Sequence, residues 1–197
     1  MKKAQSKTRS KKTAEPEEDL GHDHGHDHGD GGCCDHDHGA GLEFELGIRA
    51  YKPEDYRELK AVWKAGEIVV DETDSAKALK ENLLKRRDSF QVFVAEVLAL
   101  DPKTGKPSGP QQLAGGVIVT YDGHRAYIYH FAVHPDFRGV GLGAGLLETC
   151  EHQAKLWGAK HIRLMSRTDA AREGARRLYE SHGWTAESKL IQYKKDL

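Results

Sequence analysis

The chain has 197 residues and carries 30 lysines and arginines against 31 aspartates and glutamates, a formal net charge of −1. This balance predicts no strong field for nucleic acid or for an anionic membrane, and no apolar run approaches the roughly 18 residues that a membrane span needs. The three cysteines do not suggest a disulfide framework, so we expect a cytoplasmic protein.

Residues 1–41 are predicted to be a disordered tail. Leu20 is their only large aliphatic residue after the initiator, among lysine, glutamate, aspartate, glycine and histidine. Such a composition cannot bury a core, and the lysine-rich start lacks the apolar segment of a signal peptide. The basic block at the start and the acidic block that follows it are typical of a solvated chain.

Within this tail, residues 21–39 form a candidate metal-binding segment. Histidines alternate with aspartates around a vicinal cysteine pair, and neutral imidazole and thiolate are preferred ligands of Zn²⁺, Ni²⁺ and Cu. The spacing does not match a zinc finger, so the segment predicts either an adaptable metal-binding tail or a low-complexity tail that binds metal without a role. The candidate ligands are His22, His24, His26, His28, Cys33, Cys34, His36 and His38.

The folded domain is predicted to cover residues 42–197 and to belong to the α/β (α+β) class. Its first half has one alternating strand, two helices with one apolar face each, and three further antiparallel strands. A long Pro/Gly loop over 101–110 joins the first two of these strands as a hairpin, and a tight turn at Asp122-Gly123 leads to the third. The second helix can be capped by Asp74 or Ser75. The predicted elements are a strand over 42–49, helices over 53–66 and from about 75 to 87, and strands over 90–100, 113–121 and 125–133.

The last of these strands is predicted to alternate regularly between its two faces. In a strand, successive side chains point to opposite sides of the sheet. One face would carry Ala126, Ile128, His130 and Ala132, and the other Tyr127, Tyr129, Phe131 and Val133.

A glycine-rich junction follows, in which HFAVHPDFRGVGLGAG (130–145) passes from strand to helix. Glycines at 139, 141 and 143 let the backbone approach a ligand closely. The first turn of the next helix offers unpaired N–H groups and a positive dipole end. The junction therefore predicts a phosphate site, unless its glycines serve only to pack the helix on the strand.

The remaining chain predicts a helix over 141–157 that Gly158 ends, with Cys150 as an inert thiol on its apolar face. A short strand over 160–166 and a helix over 170–182 follow. A last strand is predicted over 189–194.

The order of these elements and two motifs resemble the GNAT superfamily of acetyl-CoA-dependent N-acetyltransferases, over about 42–197. The run FAVHPDFRGVGLGAGLL is similar to the family's Arg/Gln-x-x-Gly-x-Gly/Ala pyrophosphate loop, with Arg138, Gly141 and Gly143 in the fixed places. The run ARRLYESHGW (175–184) is similar to the family's ALYEKxGF motif. The whole resembles small bacterial GNAT proteins to which a histidine-rich tail has been added.

The resemblance implies a mixed, mainly antiparallel sheet of about six to seven strands with about four helices. This sheet would be splayed between the strand that ends at Val133 and the strand over 160–166. In the opening, acetyl-CoA would pair its pantetheine arm with backbone groups of β-strand residues and its pyrophosphate with N–H groups of the loop. The implied cofactor-binding residues are Phe131, Ala132, Val133, Arg138, Gly139, Val140, Gly141, Leu142, Gly143, Ala144 and Arg172, the last standing where many members carry asparagine.

The resemblance also implies transfer of the acetyl group to a primary amine by direct attack in a ternary complex. Tyr179 would be the general acid that protonates the departing thiolate. The strand over 125–133 carries no acidic residue, so the base is open: His130, whose ordinary pKa suits the task, Tyr129, or water acting on a neutral amine.

The acceptor is either a small molecule or a protein amine, and the protein a monomer or a homodimer. The competing hypothesis is a metal-handling protein that acts through its tail, with the GNAT domain as a scaffold or acetyl-CoA sensor. A third joins the two, with metal on the tail regulating the enzyme.

Overall fold

The computed structural model describes residues 43–169 and 172–189, together with Ile191, Tyr193 and Lys195. Among these residues no helix is both long and apolar enough to cross a bilayer. The elements are β1 (Glu43–Ala50), α1 (Tyr56–Ala65), α2 (Ala76–Lys85), β2 (Phe90–Leu100), β3 (Gln112–Tyr121), β4 (Ala126–Val133), α3 (Leu142–Leu156), β5 (Ile162–Leu164) and α4 (Glu173–Ser181).

These elements lie close to their predicted positions. The first helix begins with a 3-10 turn, Pro53–Asp55, before α1. Ser75 rather than Asp74 caps α2, because its hydroxyl accepts the backbone N–H of Ala78 at 3.2 Å. The strand predicted over 160–166 is limited to the three residues of β5.

Several predictions fall wholly or partly outside the described residues and stay predictions. They are the tail with its metal-binding segment, the first residue of the first strand, the start of the last helix and much of the last strand. The residues concerned are 1–42, 170, 171, 190, 192 and 194.

The strands form one mixed, mainly antiparallel sheet, which confirms the predicted fold class. Their order is β1-β2-β3-β4-β5, with the first three pairings antiparallel and the last parallel. Consecutive strands are neighbours: the loop over 101–111 joins β2 to β3, and the turn over 122–125 joins β3 to β4. The described part of the chain has four α-helices, as predicted, and five strands where six to seven were predicted.

The sheet opens between β4 and β5, as the resemblance implied. Three residue pairs join the two strands, from Ala126 opposite Ile162 to Ile128 opposite Leu164. Beyond Ile128, β4 continues to Val133 without a strand beside it on that edge in the described residues. The outer edge of β4 is therefore free to form one wall of a cleft.

Two hydrophobic cores lie on opposite faces of this sheet, and burial of each large apolar side chain in them stabilises the fold by about 1.5–3 kcal/mol. On one face α3 packs on the strands through Leu146, Leu147 and Cys150. On the other face α1 and α2 pack through Leu59, Trp63 and Leu79. Trp63 is fully buried in this second core.

A β-bulge interrupts β4 at the point where the sheet opens. Two residues, His130 and Phe131, stand opposite the single residue Val117 of β3. His130 has a left-handed φ of 53°, a conformation that costs a non-glycine residue of the order of 1 kcal/mol. Bulges insert one residue into a strand and redirect its side chains.

The predicted regular alternation of β4 is therefore wrong from residue 130 onward. Ile128 belongs to the core under α3, whereas Ala132 belongs to the core under α1 and α2. His130 lies on the second face, with its ring centroid 4.9 Å from that of Trp63. Phe131 packs on the first face, so the bulge exchanges the faces that were predicted for the residues from 130 onward.

A network of charged groups ties the start of α1 to the sheet. The guanidinium of Arg49 donates to both oxygens of Asp55, at 2.7 and 2.9 Å, and also to Glu96 at 2.5 Å. One Asp55 oxygen accepts the backbone N–H of Lys52 at 2.7 Å. The hydrogen bond from Arg49 is the main cause that holds the pKa of Asp55 below its usual range.

We expect Asp55→Asn to lower the free energy of unfolding by about 1–3 kcal/mol at neutral pH, because it leaves Arg49 without its bidentate partner. A carboxylate with a lowered folded-state pKa contributes stability above its unfolded pKa of about 3.9. The wild-type advantage should therefore shrink as pH falls below about 4, as measured by urea unfolding at several pH values.

A matched control is Glu81→Gln, which removes an exposed carboxylate that forms a salt bridge with Lys85, four residues along the same helix. Exposed pairs of this kind contribute little, so its unfolding midpoint should stay at that of the wild type. Equal midpoints for Asp55→Asn and the wild type would contradict the assigned role of the network.

Candidate active site

A cleft of about 660 Å³ lies in the opening beside the C-terminal half of β4. Its walls come from β4, the glycine-rich loop, the first turn of α3, and α4. Sequence positions more than 40 residues apart thus form one site. The lining residues are Gly66, Phe131, Ala132, Val133, Phe137, Arg138, Gly139, Gly141, Gly143, Ala144, Arg172, Gly174, Ala175, Arg177, Leu178 and Ser181.

Nine of the eleven predicted cofactor-binding residues line this cleft. Val140 and Leu142 do not, and the side chain of Leu142 is buried in the core under α3. Both residues were predicted to bind the pyrophosphate through their backbone N–H groups. The direction of a side chain does not change where the backbone N–H of that residue points. The lining residues of α4 and Gly66 were not predicted, since no local pattern indicates which side of α4 faces the opening.

The loop before α3 and the first turn of α3 present a row of backbone N–H groups along the cleft. Gly139 and Gly141 have φ angles of 84° and 96°, which glycine adopts without steric strain. Six consecutive N–H groups, from Gly139 to Ala144, have no hydrogen-bond partner within the described part of the chain. The N–H of Arg138, predicted to belong to this row, donates instead to the carbonyl of Pro135 at 3.3 Å.

The charged side chains that line the cleft are all positive. They are Arg138, Arg172 and Arg177, and no aspartate or glutamate is among the lining residues. Guanidinium groups and helix N-terminal N–H groups both favour phosphate oxygens. The residues present therefore fit a ligand that carries several phosphate charges, such as coenzyme A.

The outer edge of β4 offers backbone groups to a chain-like ligand. The N–H of His134 donates to the carbonyl of Ala114 in β3 at 2.8 Å. Because backbone groups alternate sides along a strand, those of Phe131 and Val133 point toward the cleft. The carbonyl of Val133 accepts the Nε of Arg138 at 3.3 Å, so the loop arginine is held against this edge.

Tyr179 lies beside the cleft rather than on its surface. Its ring centroid is 5.9 Å from that of Phe131, which lines the cleft, and 6.1 Å from that of Trp184. Burial raises the pKa of Tyr179 to about 12, and the charge of Arg172 acts in the opposite direction. The hydroxyl is thus a weaker acid than the ordinary tyrosine that the sequence interpretation assumed.

Arg172, at the position where many family members carry asparagine, links α4 to the loop after α1. Its Nη2 donates to the carbonyl of Gly66 at 3.0 Å and lies 3.5 Å from the Glu67 carboxylate. The guanidinium of Arg167 contacts the same carboxylate at 3.1 Å. Arg172 therefore forms a bridge across one end of the cleft that it also lines.

His130 lies on the opposite side of β4 from the cleft, beside a carboxylate. Its Nε2 is 3.0 Å from Oδ2 of Asp74, and the two side chains are 19 % and 7 % exposed. The angles of this contact do not satisfy those of a hydrogen bond, so Nε2 is buried without one. Asp74 is itself fixed, because its carboxylate accepts the backbone N–H of Asp71 at 3.1 Å.

Asp74 is the residue of this site that the sequence did not reveal. It was predicted only as a possible helix cap, and His130 is 56 positions later in the chain. A weak signal did exist: two cap-forming residues, Asp74 and Ser75, stand side by side where one suffices. The structure gives the cap to Ser75 and leaves Asp74 to face His130.

Cys150 is buried in the core under α3, and burial raises its pKa to about 12. It matches the prediction of an inert core thiol. Over the described residues, no group of three or more histidine, cysteine, aspartate or glutamate side chains is arranged to hold a metal ion. The predicted metal ligands of segment 21–39 lie outside those residues.

Comparison with known proteins shows the family to which the chain belongs. The model of the Acetyltransferase (GNAT) family matches residues 56–184. An acetyltransferase of Pectobacterium atrosepticum is 30 % identical over 122 residues, which cover 62 % of this chain and 77 % of that protein.

Solved structures share the fold at low identity. AAC(6')-Iy in complex with a bisubstrate analogue of CoA is 15 % identical, with a TM-score of 0.58 over 78 % of this chain and 99 % of that one. A predicted acetyltransferase from Clostridium acetobutylicum, solved with acetyl-CoA, is 14 % identical, with a TM-score of 0.55 over 76 % of this chain and 96 % of that one.

The family match covers β4, the glycine-rich loop and α4, which carries Tyr179. These are the elements that form the cleft. The chain belongs to the GNAT acetyltransferase family and is an acyltransferase that uses acetyl-CoA as its cosubstrate.

Proposed function

We propose that the protein transfers the acetyl group of acetyl-CoA to a primary amine, by direct attack in a ternary complex. One observation carries this proposal: the bulge in β4 places His130 on one side of the strand and Phe131, beside Tyr179, on the other. A base and an acid therefore flank the strand edge along which acetyl-CoA is expected to lie.

Bound acetyl-CoA supplies a thioester whose carbonyl carbon forms a C–N bond with the neutral amine as its C–S bond breaks. His130 takes one proton from the amine nitrogen. Tyr179 gives its hydroxyl proton to the departing sulfur, and Arg172 moderates the rise in the pKa of that hydroxyl. Water then carries the proton from His130 back to Tyr179, so both side chains regain their starting states.

The binding part of the proposal assigns the pyrophosphate to the N–H groups of residues 139–144 and the arginines around them. The pantetheine arm is assigned to the backbone of Phe131 and Val133. The buried state of Cys150 favours direct attack, because a thiol whose pKa is raised to about 12 is a poor nucleophile.

This function is tested by thiol release from acetyl-CoA with a panel of primary amines, from small polyfunctional amines to lysine-containing peptides. We expect amine-dependent release, intersecting initial-rate lines when both substrates are varied, and unchanged turnover in Cys150→Ala. Parallel lines, or loss of turnover in Cys150→Ala, would indicate a covalent acetyl-enzyme instead. Release that no amine stimulates would remove the N-acetyltransferase assignment.

The histidine-rich segment supports a second candidate function, metal handling by the tail, through its six histidines and vicinal cysteines. Calorimetry with Zn²⁺ and Ni²⁺ on the full chain and on a chain lacking residues 1–41 tests it. Binding by the full chain alone supports the tail as the metal site. A metal-dependent change in turnover that disappears on truncation would make the tail a regulator of the enzyme.

A further inference from the structure

A second cavity, of about 400 Å³, lies on the face of the sheet that α1 and α2 cover. Its walls include Asp74 before α2, Asn82 of α2 and Arg86 just after it, and Thr120, Tyr129 and His130 of the sheet. The acetyl-CoA cleft is on the far side of β4, yet His130 is bonded directly to Phe131, which lines that cleft. The two spaces are therefore separated by the thickness of one bulged strand.

The volume suits a small polar molecule or one extended side chain, because it lies at the lower end of the range of about 300–1,000 Å³ that is typical of ligand pockets. The lining is mostly polar. An amine that enters here would approach the bulge of β4 from the side opposite to the cleft assigned to the coenzyme.

The imidazole of His130 is constrained within this cavity. The ring meets Trp63 edge-on, with centroids 4.9 Å apart and an interplanar angle of 66°. Its Nε2 faces the Asp74 carboxylate at 3.0 Å and is fully buried. Its Nδ1 is neither among the buried, unpartnered atoms nor hydrogen-bonded to another described residue, so this second nitrogen keeps some exposed surface in a side chain that lines the cavity.

A carboxylate beside one ring nitrogen favours the tautomer in which that nitrogen carries the proton. The other nitrogen then keeps its lone pair and can accept a proton. The distance from Nε2 of His130 to Oδ2 of Asp74 is already that of a hydrogen bond, and only the angle is unfavourable. Catalytic hydrogen bonds are commonly poorly aligned before substrate binds.

We propose that Asp74 is a positioning residue for the reaction: it holds the proton of His130 on Nε2, so that Nδ1 accepts the proton of a primary amine bound in this cavity. The proposal rests on the proposed function, since it assigns how the base of that reaction is oriented. The step itself moves one proton from the amine nitrogen to Nδ1, while the C–N bond forms at the thioester carbon.

The central experiment is a double-mutant cycle on the full-length protein with Asp74→Asn, His130→Gln and the pair, using the best amine of the panel. The same Asp74 oxygen, Oδ2, accepts the Asp71 N–H and faces Nε2 of His130. Asparagine can keep an oxygen there, so the turn should remain folded, but it removes the negative charge that favours the proton on Nε2. We expect Asp74→Asn to lower kcat by about tenfold or more, with the KM for acetyl-CoA changed by less than about twofold. In the His130→Gln background the same change should lower kcat by less than about twofold.

Asp71→Asn is the matched control, because it makes the same chemical change three residues earlier in the same turn. The Asp71 carboxylate accepts the N–H of Thr73 at 2.8 Å, and Asp71 is not among the residues that line the cavity. A kcat as low as that of Asp74→Asn would show that the effect comes from the turn and would overturn the proposal. The proposal would also be overturned if the double mutant lost kcat by the product of the two single-mutant losses, since Asp74 would then act independently of His130.

A readout without turnover separates this proposal from the proposed function. The nitrogen-15 shifts of the His130 ring report the tautomer directly, and we expect the proton on Nε2 in the wild type and a mixture in Asp74→Asn. A wild type with the proton on Nδ1 overturns the proposal even if the enzyme is active. Absent amine-dependent turnover with the expected tautomer would instead reject the proposed function and keep the orienting role of Asp74.

Discussion

We expect Gly141→Asp to weaken the binding of acetyl-CoA by about a hundredfold or more, measured by calorimetry. Gly141 precedes the first residue of α3 with a φ of 96°, a conformation that costs a side-chain-bearing residue roughly 1–2 kcal/mol. The aspartate also brings a negative charge to the row of N–H groups assigned to the pyrophosphate. No atom lies within 4 Å of the position of the new Cβ, so the protein should still fold.

Gly158→Asp is the matched control for this prediction. Gly158 follows α3 with a φ of 83°, and its Cβ position is equally open. The Gly158→Asp variant has the same backbone strain, and residue 158 does not line the cleft. The two variants should lose similar amounts of thermal stability, but the affinity for acetyl-CoA should fall only in Gly141→Asp. Equal affinities for acetyl-CoA in both variants and the wild type would show that the coenzyme does not bind at this loop.

We expect Tyr179→Phe to lower kcat by at least about tenfold with little change in the affinity for acetyl-CoA. Phenylalanine keeps the ring that packs between Phe131 and Trp184 and removes only the proton donor. Because burial raises the pKa of Tyr179 to about 12, the acid form persists through the alkaline range. The kcat of the wild type should therefore show no loss from ionisation of this residue up to about pH 10.

The control for this variant is Tyr51→Phe. Burial also raises the pKa of Tyr51 to about 12, and its hydroxyl lies 3.5 Å from the carbonyl of Pro53, among elements that do not line the cleft. Its kcat should equal that of the wild type. A Tyr179→Phe enzyme with full kcat would assign the proton on the departing sulfur to water, and leave Tyr179 as a packing residue.

The order of elements could be predicted from the sequence because each element has a local cause. Pro53, Ser75 and Gly158 mark helix ends through backbone geometry that a single residue determines. The loop over 138–144 was predictable for the same reason, since its glycines act through their own φ angles. The cleft-lining residues of the loop and β4 therefore followed from two short motifs.

The residues proposed for catalysis and for positioning depend on packing, which local patterns do not contain. A period-2 pattern assumes that no residue is inserted, so the bulge at His130 reversed the predicted faces of β4. The proximity of Asp74 to His130 is set by how α2 lies on the sheet. Likewise, the raised pKa of Tyr179 follows from its burial between two aromatic rings, which the motif around it does not reveal.

Because of the bulge in β4, the residues of this strand that fill the two cores are distinct from His130, the residue proposed to take part in the reaction. With residue 130 left out of the count, Ile128, Phe131 and Val133 face α3, whereas Tyr129 and Ala132 face the other helices. That is an unbroken hydrophobic alternation, complete without the histidine. A strand one residue shorter could therefore keep both cores and lose only the imidazole. Along a lineage, His130 could thus be gained or lost as a single codon, while the fold that presents it remains unchanged.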